Sequence, residues 1–286
     1  MFKEKNLSVM LLSEYPFTFS NKYIYEIKFD GIRALIYVNK KMITIKSRNN
    51  IDITNFFPEL NNIKDIVSNN NVIFDGEIVI LENNKPTFSK VQQRLRLKNK
   101  TKIEEYSQNN PVTFVAFDIL YLNKSLLDKK LISRKNYLNK FRDTNNFIKS
   151  KVFLDGNNLF KSVKELGLEG IVAKEKDSLY YPNARTKEWI KLKNIKQDNF
   201  YIGGYIKNKA SYSLLLGEKE DKLLHYVGKI KVTNNNPLLK NILKEKESNN
   251  YFIDYNENAH FIKPNTKIKI NYLEKTKNNM LRHTYL

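Results

Sequence analysis

Cysteine is absent from all 286 residues of the chain, and histidine is scarce. Without cysteine there can be no disulfide bond, no thiolate metal site and no cysteine nucleophile. The three histidines, His225, His260 and His283, are far apart in the sequence and show no ligand spacing such as HxxxH. The sequence therefore argues against a histidine-bound zinc.

Long hydrophobic runs are also missing. The apolar patch nearest the N-terminus covers only residues 9–12, which is too short for the core of a signal peptide or for a membrane span. We therefore expect a cytoplasmic protein that has no membrane partner.

Glycine and proline number only nine and seven, whereas 41% of the residues are hydrophobic. This composition is typical of a globular protein with a sizeable core, and the length favours two modest domains. Acidic residues are in the minority, because 50 lysines and arginines against 30 aspartates and glutamates give a net charge of +20. The excess favours a polyanionic partner, but an AT-rich genome produces the same lysine-rich composition whatever the function.

Strand-like patterns begin at residues 23–28, 33–38 and 42–46, and turn residues separate them at 30–31 and 39–41. Consecutive strands joined by short turns predict an antiparallel meander.

Further along the chain, residues 71–81 and 111–121 are apolar runs of strand length, while residues 124–142 and 157–166 have a helical pattern. Strands and helices mix without strict alternation. The predicted fold class is therefore α+β rather than a doubly wound parallel sheet.

The predicted secondary-structure pattern changes after the lysine-rich residues 187–196. Short strand-like runs separated by polar loops follow, with one predicted helix at residues 237–246. About five strands and one helix in roughly 90 residues suggest an OB-type β-barrel. We expect a first domain of residues 1–196 and an OB-fold domain of residues 197–286. The runs are residues 200–205, 212–216, 223–227 and 266–272.

The segment with the clearest chemistry begins at Lys28, which is followed at close spacing by Asp30, Gly31 and Arg33 and preceded by Glu26. A lysine is nucleophilic only when its amine is neutral, and desolvation together with neighbouring cations lowers a lysine pKa. A strand end at a tight Asp-Gly turn would hold such an amine in place. The alternative is a surface lysine before a hairpin.

This spacing resembles the KxDGxR signature of the covalent nucleotidyltransferases, which include DNA ligases, RNA ligases and mRNA capping enzymes. The resemblance implies an antiparallel-sheet adenylation domain, then an OB-fold barrel, and a covalent lysyl-AMP on Lys28. It assigns Asp30 to the catalytic centre, and Glu26, Gly31 and Arg33 to the nucleotide.

Further blocks follow in the family's order over nearly the whole chain. Arg48 is similar to the arginine that reaches the phosphate of a nick, Phe117 to the aromatic that stacks on adenine, and residues 88–94 to a ligase helix. The others resemble the second motif (Glu77), the EGxxxK motif (Glu169, Gly170 and Lys174) and the paired-lysine motif (Lys191 and Lys193). We assign Trp189 to packing.

The resemblance implies ATP as the cofactor. Lys174, Lys191 and Lys193 would bind its phosphates, stabilise the transition state and lower the pKa of Lys28. Alone, such a lysine run is usually a solvated strand face. Glu77 and Glu169 are carboxylates in apolar runs, so they are expected to be paired or to bind metal, with Mg²⁺ or Mn²⁺ as the ion. A buried salt bridge is the alternative for either glutamate.

Residues 180–186, followed by Trp189, resemble the YxPGxRSxxW stretch of bacterial DNA ligases, except that Asn183 replaces the glycine. Asparagine tolerates left-handed backbone angles, so the turn can survive. The residues from Tyr272 to His283 resemble the family's closing segment, but no RxDK element follows. The resemblance therefore favours a minimal ATP-dependent DNA ligase of the bacterial or phage type, acting in the cytoplasm or nucleoid.

We expect a monomer that binds nicked double-stranded DNA, with or without a recruiting repair protein. Arg48, Arg94, Arg96 and Lys98 are expected to contact DNA phosphates, although a solvated loop explains residues 90–102 equally well. An RNA ligase or a GTP-dependent capping enzyme is the alternative within the superfamily. A non-catalytic OB-fold protein would explain the charge but not the ordered motifs.

Overall fold

The computed structural model describes residues 1–276 and 278–286. Lys277, which belongs to the C-terminal segment compared above with the family's closing segment, lies outside the described residues. The chain divides into two compact units, Met1–Leu192 and Lys193–Leu286. Within the described part of the chain, no helix has the length and apolar character needed to cross a membrane.

The first unit contains strands and helices in mixed order. Two short 3₁₀ helices, Thr54–Phe56 and Pro58–Asp65, lie between β4 and β5. The helices are α1 (Phe88–Arg96), α2 (Lys100–Asn109), α3 (Leu131–Leu138) and α4 (Gly156–Glu165). The strands are β1 (Leu11–Ser13), β2 (Tyr23–Ile27), β3 (Ile32–Val38), β4 (Ile43–Ser47), β5 (Val72–Val79), β6 (Leu81–Glu82), β7 (Lys85–Pro86), β8 (Thr113–Leu122), β9 (Phe147–Lys149), β10 (Gly170–Glu175) and β11 (Arg185–Lys193).

Two larger sheets organise this unit. One has the order β4-β3-β5-β8-β9, with β9 parallel to β8 and the other neighbours antiparallel. The second has the order β1-β11-β10-β2, with β1 parallel to β11 and β10 antiparallel to β2. The mixture of sheets and separate helices confirms the predicted α+β class.

The predicted three-strand meander is wrong in one respect. β3 and β4 pair as expected, but β2 pairs with β10 in the other sheet. Residues 28–31 carry the chain from one sheet to the other, so the Asp-Gly turn is a crossing between sheets. Four of the five residues of β2 are buried, so both faces of this strand are covered. A strand with one solvent-exposed face would instead alternate between buried and exposed residues.

The two sheets meet around a shared cluster of buried side chains. Trp189 from β11 is fully buried there with Ile24 from β2, Leu35 from β3 and Ile73 from β5. The five-stranded sheet has its own core on the other side, which includes Phe74, Phe114 and Phe147 and is covered by the 3₁₀ helices and α1. The residues at the rim between the sheets are those that form the site described below.

The helix predictions differ in outcome. The helix predicted at residues 157–166 is α4, capped by the Asp155 side chain and ending before Gly167, whose φ of +67° suits glycine. The one predicted at residues 124–142 is too long, because only α3 is α-helical. Residues before it return along β8, where the Leu126 N–H donates to the Leu120 carbonyl at 2.9 Å.

The second unit is mainly β-structure. Its strands are β12 (Lys196–Lys207), β13 (Ser211–Glu220), β14 (Leu223–Thr233), β15 (His260–Phe261), β16 (Lys267–Tyr272), β17 (Glu274–Lys275) and β18 (Leu281–Arg282), with one helix, α5 (Pro237–Ile242). The order is β14-β13-β12, and β12 pairs along different stretches with β15 and β16. The predicted barrel is not closed: β12 to β16 form an open sheet, since β14 and β16 are not paired among the described residues. The predicted helix is present but ends at Ile242.

Candidate active site

Lys28 lies directly after β2, at the edge between the two sheets. The antiparallel register of β2 and β10 sets Ile27 opposite Ile171, and the Lys28 N–H donates to the Gly170 carbonyl at 2.9 Å. This pairing brings Lys28 beside Glu169, whose Oε1 is 2.5 Å from the Lys28 Nζ. The lysine side chain is 20% exposed, so its amine is held by protein yet reachable from solvent.

Gly31 allows a close approach, but the group that approaches is the protein itself. A Cβ at this position would lie 2.3 Å from the Ile78 carbonyl oxygen of β5. The glycine lets the chain pass from β2 to β3 against the neighbouring strand. This gives Gly31 a packing role, and its assignment to the nucleotide stays a prediction.

Glu77 on β5 faces the same edge and is half-buried. The pKa of Glu77 is raised from 4.5 to about 8, because burial disfavours the charged carboxylate and the attraction of Lys28 and Arg33 only partly offsets this. Repulsion from Glu169 and Asp75 adds to the shift. The carboxyl group thus favours its protonated form at neutral pH.

We expect this shift to appear in the pH dependence of stability. The folded pKa lies above the unfolded one, so the folded state keeps a proton between about pH 4.5 and pH 8 that the unfolded state has released. The free energy of unfolding should therefore fall through this window relative to that of Glu77→Gln, and the difference should be constant above it. Melting curves of both proteins from pH 5 to pH 9 measure it; parallel curves would contradict the shift.

Arg33 on β3 is held by two bonds to a buried carboxylate. Its Nε and Nη2 donate to the two oxygens of Asp75 at 3.0 and 2.7 Å, and Tyr180 donates to the same carboxylate at 2.7 Å. Burial acts to lower the pKa of Arg33, but Asp75, together with Tyr180 and Glu77, outweighs it and raises the pKa. The guanidinium carbon lies 5.2 Å from the centre of the Phe117 ring.

Glu26 is 2% exposed and lies between two buried lysines. Lys174 donates from Nζ to its Oε2 at 2.8 Å, and Lys135 from α3 forms an ion pair with its Oε1. Burial acts to raise the pKa of Glu26, but the two lysines outweigh it and lower the pKa. The Lys174 Nζ also lies 4.2 Å from the Phe117 ring centre and 4.3 Å from that of Trp189.

These groups line two adjoining spaces. An inner pocket of about 60 Å³ has Lys28 and Glu77 near Glu26, Lys174 and the rings of Phe117 and Trp189. An outer cleft of about 580 Å³ is lined by Lys28, Glu77, Arg48, Arg185 and Lys191, among others. Lys28, Arg33 and Glu77 belong to both linings, so the lysine lies where the two spaces meet. The structure therefore brings most residues expected in the site together.

The remaining predicted residues lie as follows. Arg48 is exposed just after β4 and donates its N–H to the Arg33 carbonyl at 3.1 Å. Lys191 on β11 forms an ion pair with Glu14 at 3.0 Å. Asp30 is half-buried in the crossing between the sheets. Lys193 ends β11 as the first residue of the second unit, so the geometry of the first unit does not place it in the pocket.

Similarity to known proteins agrees with this geometry. The family model for the ATP dependent DNA ligase domain matches residues 10–193, well over half of the chain. The chain belongs to this family. A prophage-derived DNA ligase-like protein of Bacillus subtilis, LigB, is 32% identical over 213 residues, which are 73% of this chain and 75% of that protein.

Two further ligase comparisons concern Mycobacterium tuberculosis. Its multifunctional non-homologous end joining DNA repair protein LigD is 28% identical over 219 residues, or 74% of this chain, but the match spans only 27% of that protein. The crystal structure of the LigD ligase domain has a TM-score of 0.60 and 25% identity, covering 98% of this chain and 93% of that one. The chain thus spans about a quarter of the full-length LigD relative.

One predicted DNA contact of this ligase-family chain is wrong. Arg94 on α1 is fully buried, where its guanidinium binds Glu59 at 3.0 Å and the carbonyls of Phe56 and Asn110. A helical turn aims it inward, because α1 is amphipathic and Val91 and Arg94 share its buried face. Arg96 and Lys98 are exposed, at the lip of a cleft of about 1130 Å³ that is separate from Lys28.

Arg94→Met should therefore affect folding rather than DNA binding. The change leaves the Glu59 carboxylate without its cation, which costs about 3–5 kcal/mol of unfolding free energy. Arg96→Met, on the exposed face of the same helix, is the matched control and should leave the melting temperature unchanged. Chemical denaturation compares them; a stable Arg94→Met protein with weakened DNA binding would contradict the structural role.

Sequence reasoning missed three groups that hold the ligase-type site together: Lys135, Asp75 and Tyr180. Asp75 was visible as an aspartate inside an apolar strand, two residues before Glu77, and a buried carboxylate requires a partner. Lys135 gave no such signal, because a lysine in a helical segment is normally exposed. Trp189, assigned to packing, is fully buried and also lines the inner pocket.

Proposed function

We propose that this chain is an ATP-dependent DNA ligase that seals nicks through a covalent lysyl-AMP intermediate on Lys28. The observation that carries the proposal is the position of the Lys28 amine in a chain of this family. It lies where a small pocket lined by aromatic rings, Glu26 and Lys174 meets an open cleft lined by Arg48, Arg185 and Lys191. A nucleophile at such a junction can face the α-phosphate of a nucleotide whose base is in the pocket.

In the first step the Lys28 nitrogen attacks the α-phosphorus of ATP. A P–N bond forms, the bond to the β-phosphate oxygen breaks, and pyrophosphate leaves with that electron pair. The amine must also lose a proton, and the Glu169 carboxylate, 2.5 Å from Nζ, is placed to orient the amine and accept it. Lys191 and Lys193 would stabilise the charge that develops on the phosphates, with Asp30 beside the nucleophile.

The inner pocket would receive the edge of the adenine, because its volume of about 60 Å³ is too small for a whole purine ring system. The Phe117 ring, half-buried in the pocket wall, offers a face for stacking, and Arg33 is held close to it by Asp75. Glu26 and Lys174, which line this pocket, would meet the edge of the base as an acceptor and a donor. The Gly170 carbonyl, which accepts the Lys28 N–H at 2.9 Å, would hold the backbone of Lys28 beside this pocket.

A divalent cation fits the carboxylates of this site. Glu77 carries a pKa raised to about 8 by burial and by neighbouring carboxylates, so an added cation would favour its charged form. Among residues 1–276 and 278–286, no cluster of three or more acidic or histidine side chains is preformed for a metal. Glu77 and Glu169 would therefore share Mg²⁺ or Mn²⁺ with phosphate oxygens, and the ion would offset phosphate charge.

In the second step an oxygen of the 5′-phosphate at the nick attacks the adenylate phosphorus, and the P–N bond breaks to restore Lys28. In the third step the 3′-hydroxyl attacks the 5′-phosphate, loses its proton and expels AMP. Arg48, Arg185 and Lys191 in the outer cleft would hold the nick phosphates. Residues 1–196 would form the adenylation domain and residues 197–286 an OB-fold domain that binds the duplex as part of a monomer.

The names of the LigD relatives associate them with non-homologous end joining and DNA repair. For this chain we propose only that it joins nicks in duplex DNA, during repair or replication. The net charge of +20 supports a DNA partner, and phosphate contacts of this kind make binding weaken steeply as salt rises.

A nicked-duplex assay tests the proposal. The chain is incubated with ATP or GTP, Mg²⁺ and a nick whose flanking strands are DNA or RNA, and the joined product is measured. Sealing of DNA with ATP is expected. Much faster joining of RNA strands would favour an RNA ligase, and use of GTP a capping-type enzyme; no joining with any strand would refute the proposal.

A further inference from the structure

We propose that Lys135 is a positioning residue for recognition of the nucleobase: it holds one oxygen of Glu26, and thereby fixes Glu26 and Lys174 at the end of the inner pocket. The inference rests on the proposed function, because it concerns how the adenylation site selects ATP. Lys135 lies on α3, outside every motif of the sequence.

The geometry is that of one carboxylate shared by two cations. Glu26 offers Oε1 to Lys135 and Oε2 to Lys174, and all three side chains are almost completely buried. Glu26 and Lys174 line the inner pocket, whereas Lys135 does not. Lys135 therefore acts on the pocket through Glu26.

A role in stability alone does not account for this arrangement. Lys174 by itself would already neutralise Glu26, and burying a further ammonium group costs several kcal/mol that a shared carboxylate repays only in part. The preceding residue shows a one-to-one buried pair on this helix. Arg134 makes two bonds of 2.9 Å to Asp118, one cation to one carboxylate, with both side chains fully buried.

The additional positive charge of Lys135 affects the pKa of Lys174. Burial lowers the pKa of Lys174 to about 8, and Lys135 contributes to this lowering while Glu26 opposes it. The Lys174 amine is also fixed against the Phe117 and Trp189 rings at 4.2 and 4.3 Å. With Oε1 held by Lys135, the carboxylate cannot turn to receive Lys174 with both oxygens.

A fixed acceptor beside a fixed donor distinguishes purines by their edges. Adenine presents an amino donor next to a ring nitrogen acceptor, which complements a carboxylate and an amine. Guanine presents a carbonyl acceptor next to an N–H donor, so the same two groups meet the wrong partners. Because Lys135 fixes the orientation of this bonded pair, its loss should weaken ATP binding and the preference for ATP over GTP.

The test uses the full chain with Lys135→Met, which leaves Glu26 and Lys174 as a one-to-one pair that remains compatible with folding. Self-adenylation is followed with ATP and with GTP labelled at the α-phosphate. We expect KM for ATP to rise about tenfold while kcat changes by less than about threefold, and the ATP/GTP preference to fall about tenfold. Lys135→Arg, which keeps the cation, should restore most of both.

Arg134→Met is the matched control, because it removes the neighbouring buried cation of α3 that makes no contact with Glu26. It should lower the melting temperature strongly and change KM and the ATP/GTP preference of the folded protein far less than Lys135→Met does. If Lys135→Met behaves in the same way, Lys135 is merely structural and the inference is wrong.

Failure of the inference and failure of the proposed function give different results. A wild-type chain that takes no label from ATP refutes the function. In that case, calorimetry still measures the Kd values of wild type and Lys135→Met for ATP and GTP, because binding needs no covalent step. A tenfold weaker Kd for ATP in the variant, restored by Lys135→Arg, supports the positioning role, and equal Kd values overturn it.

Discussion

Lys28→Ala is expected to retain no label from the α-phosphate of ATP after denaturation and to seal no ordinary nick. The same variant should still join a nick whose 5′ end already carries AMP. The reason is that the first two steps form and break a bond to the Lys28 nitrogen, whereas the last step needs only the 3′-hydroxyl and the bound DNA. Gel assays of label retention and of both nick types measure the three activities.

A matched control for this prediction is Lys22→Ala. Lys22 also pairs with a glutamate, Glu175 at 3.0 Å, but it is exposed and lies at the opposite end of β2. Its loss should leave all three activities near wild type, because exposed ion pairs contribute little to stability. Label retained on Lys28→Ala would show that another nucleophile carries the AMP.

Arg33→Met should produce the largest loss of stability among substitutions in the site. The change leaves the Asp75 carboxylate fully buried without its cation, and removing one partner of a buried pair costs about 3–5 kcal/mol. Chemical denaturation of the variant measures the free energy of unfolding. A loss of nucleotide affinity without destabilisation would instead indicate that Arg33 serves the ligand alone.

A double substitution separates the two contributions. In Arg33→Met with Asp75→Asn the uncompensated charge is gone, so most of the lost unfolding free energy should return, while label transfer from ATP should stay low. A coupling free energy of about 2 kcal/mol or more between the two positions is expected for groups in direct contact. Additive effects of the two substitutions would contradict the pairing seen here.

The sequence was most informative where a motif residue lies next to a strand end. Lys28 and Glu169 are far apart in the chain, yet both belong to motifs that end or begin strands, and the register of β2 with β10 brings them together. The order of motifs was sufficient to predict a common site for them. It was not sufficient to predict that β2 and β3 belong to different sheets, because a tight Asp-Gly turn is compatible with a hairpin and with a crossing.

The sequence alone did not show which charged side chains are buried. Arg94 and Arg96 are two positions apart in the same basic segment, but the helical period turns one into the core and the other to solvent. Only the tertiary structure reveals that Arg94 forms an ion pair with Glu59, and that Lys135 and Lys174 share Glu26. Long-range ion pairs leave no local pattern in the chain.

Peptide-mapped mass spectrometry of the purified chain incubated with ATP and Mg²⁺, before and after addition of nicked duplex DNA, tests the central claim most directly. We predict an AMP adduct linked through nitrogen to Lys28, which disappears when the nicked DNA is added as AMP moves to its 5′-phosphate. An adduct on a different residue, or none while nicks are nonetheless sealed, would contradict the mechanism.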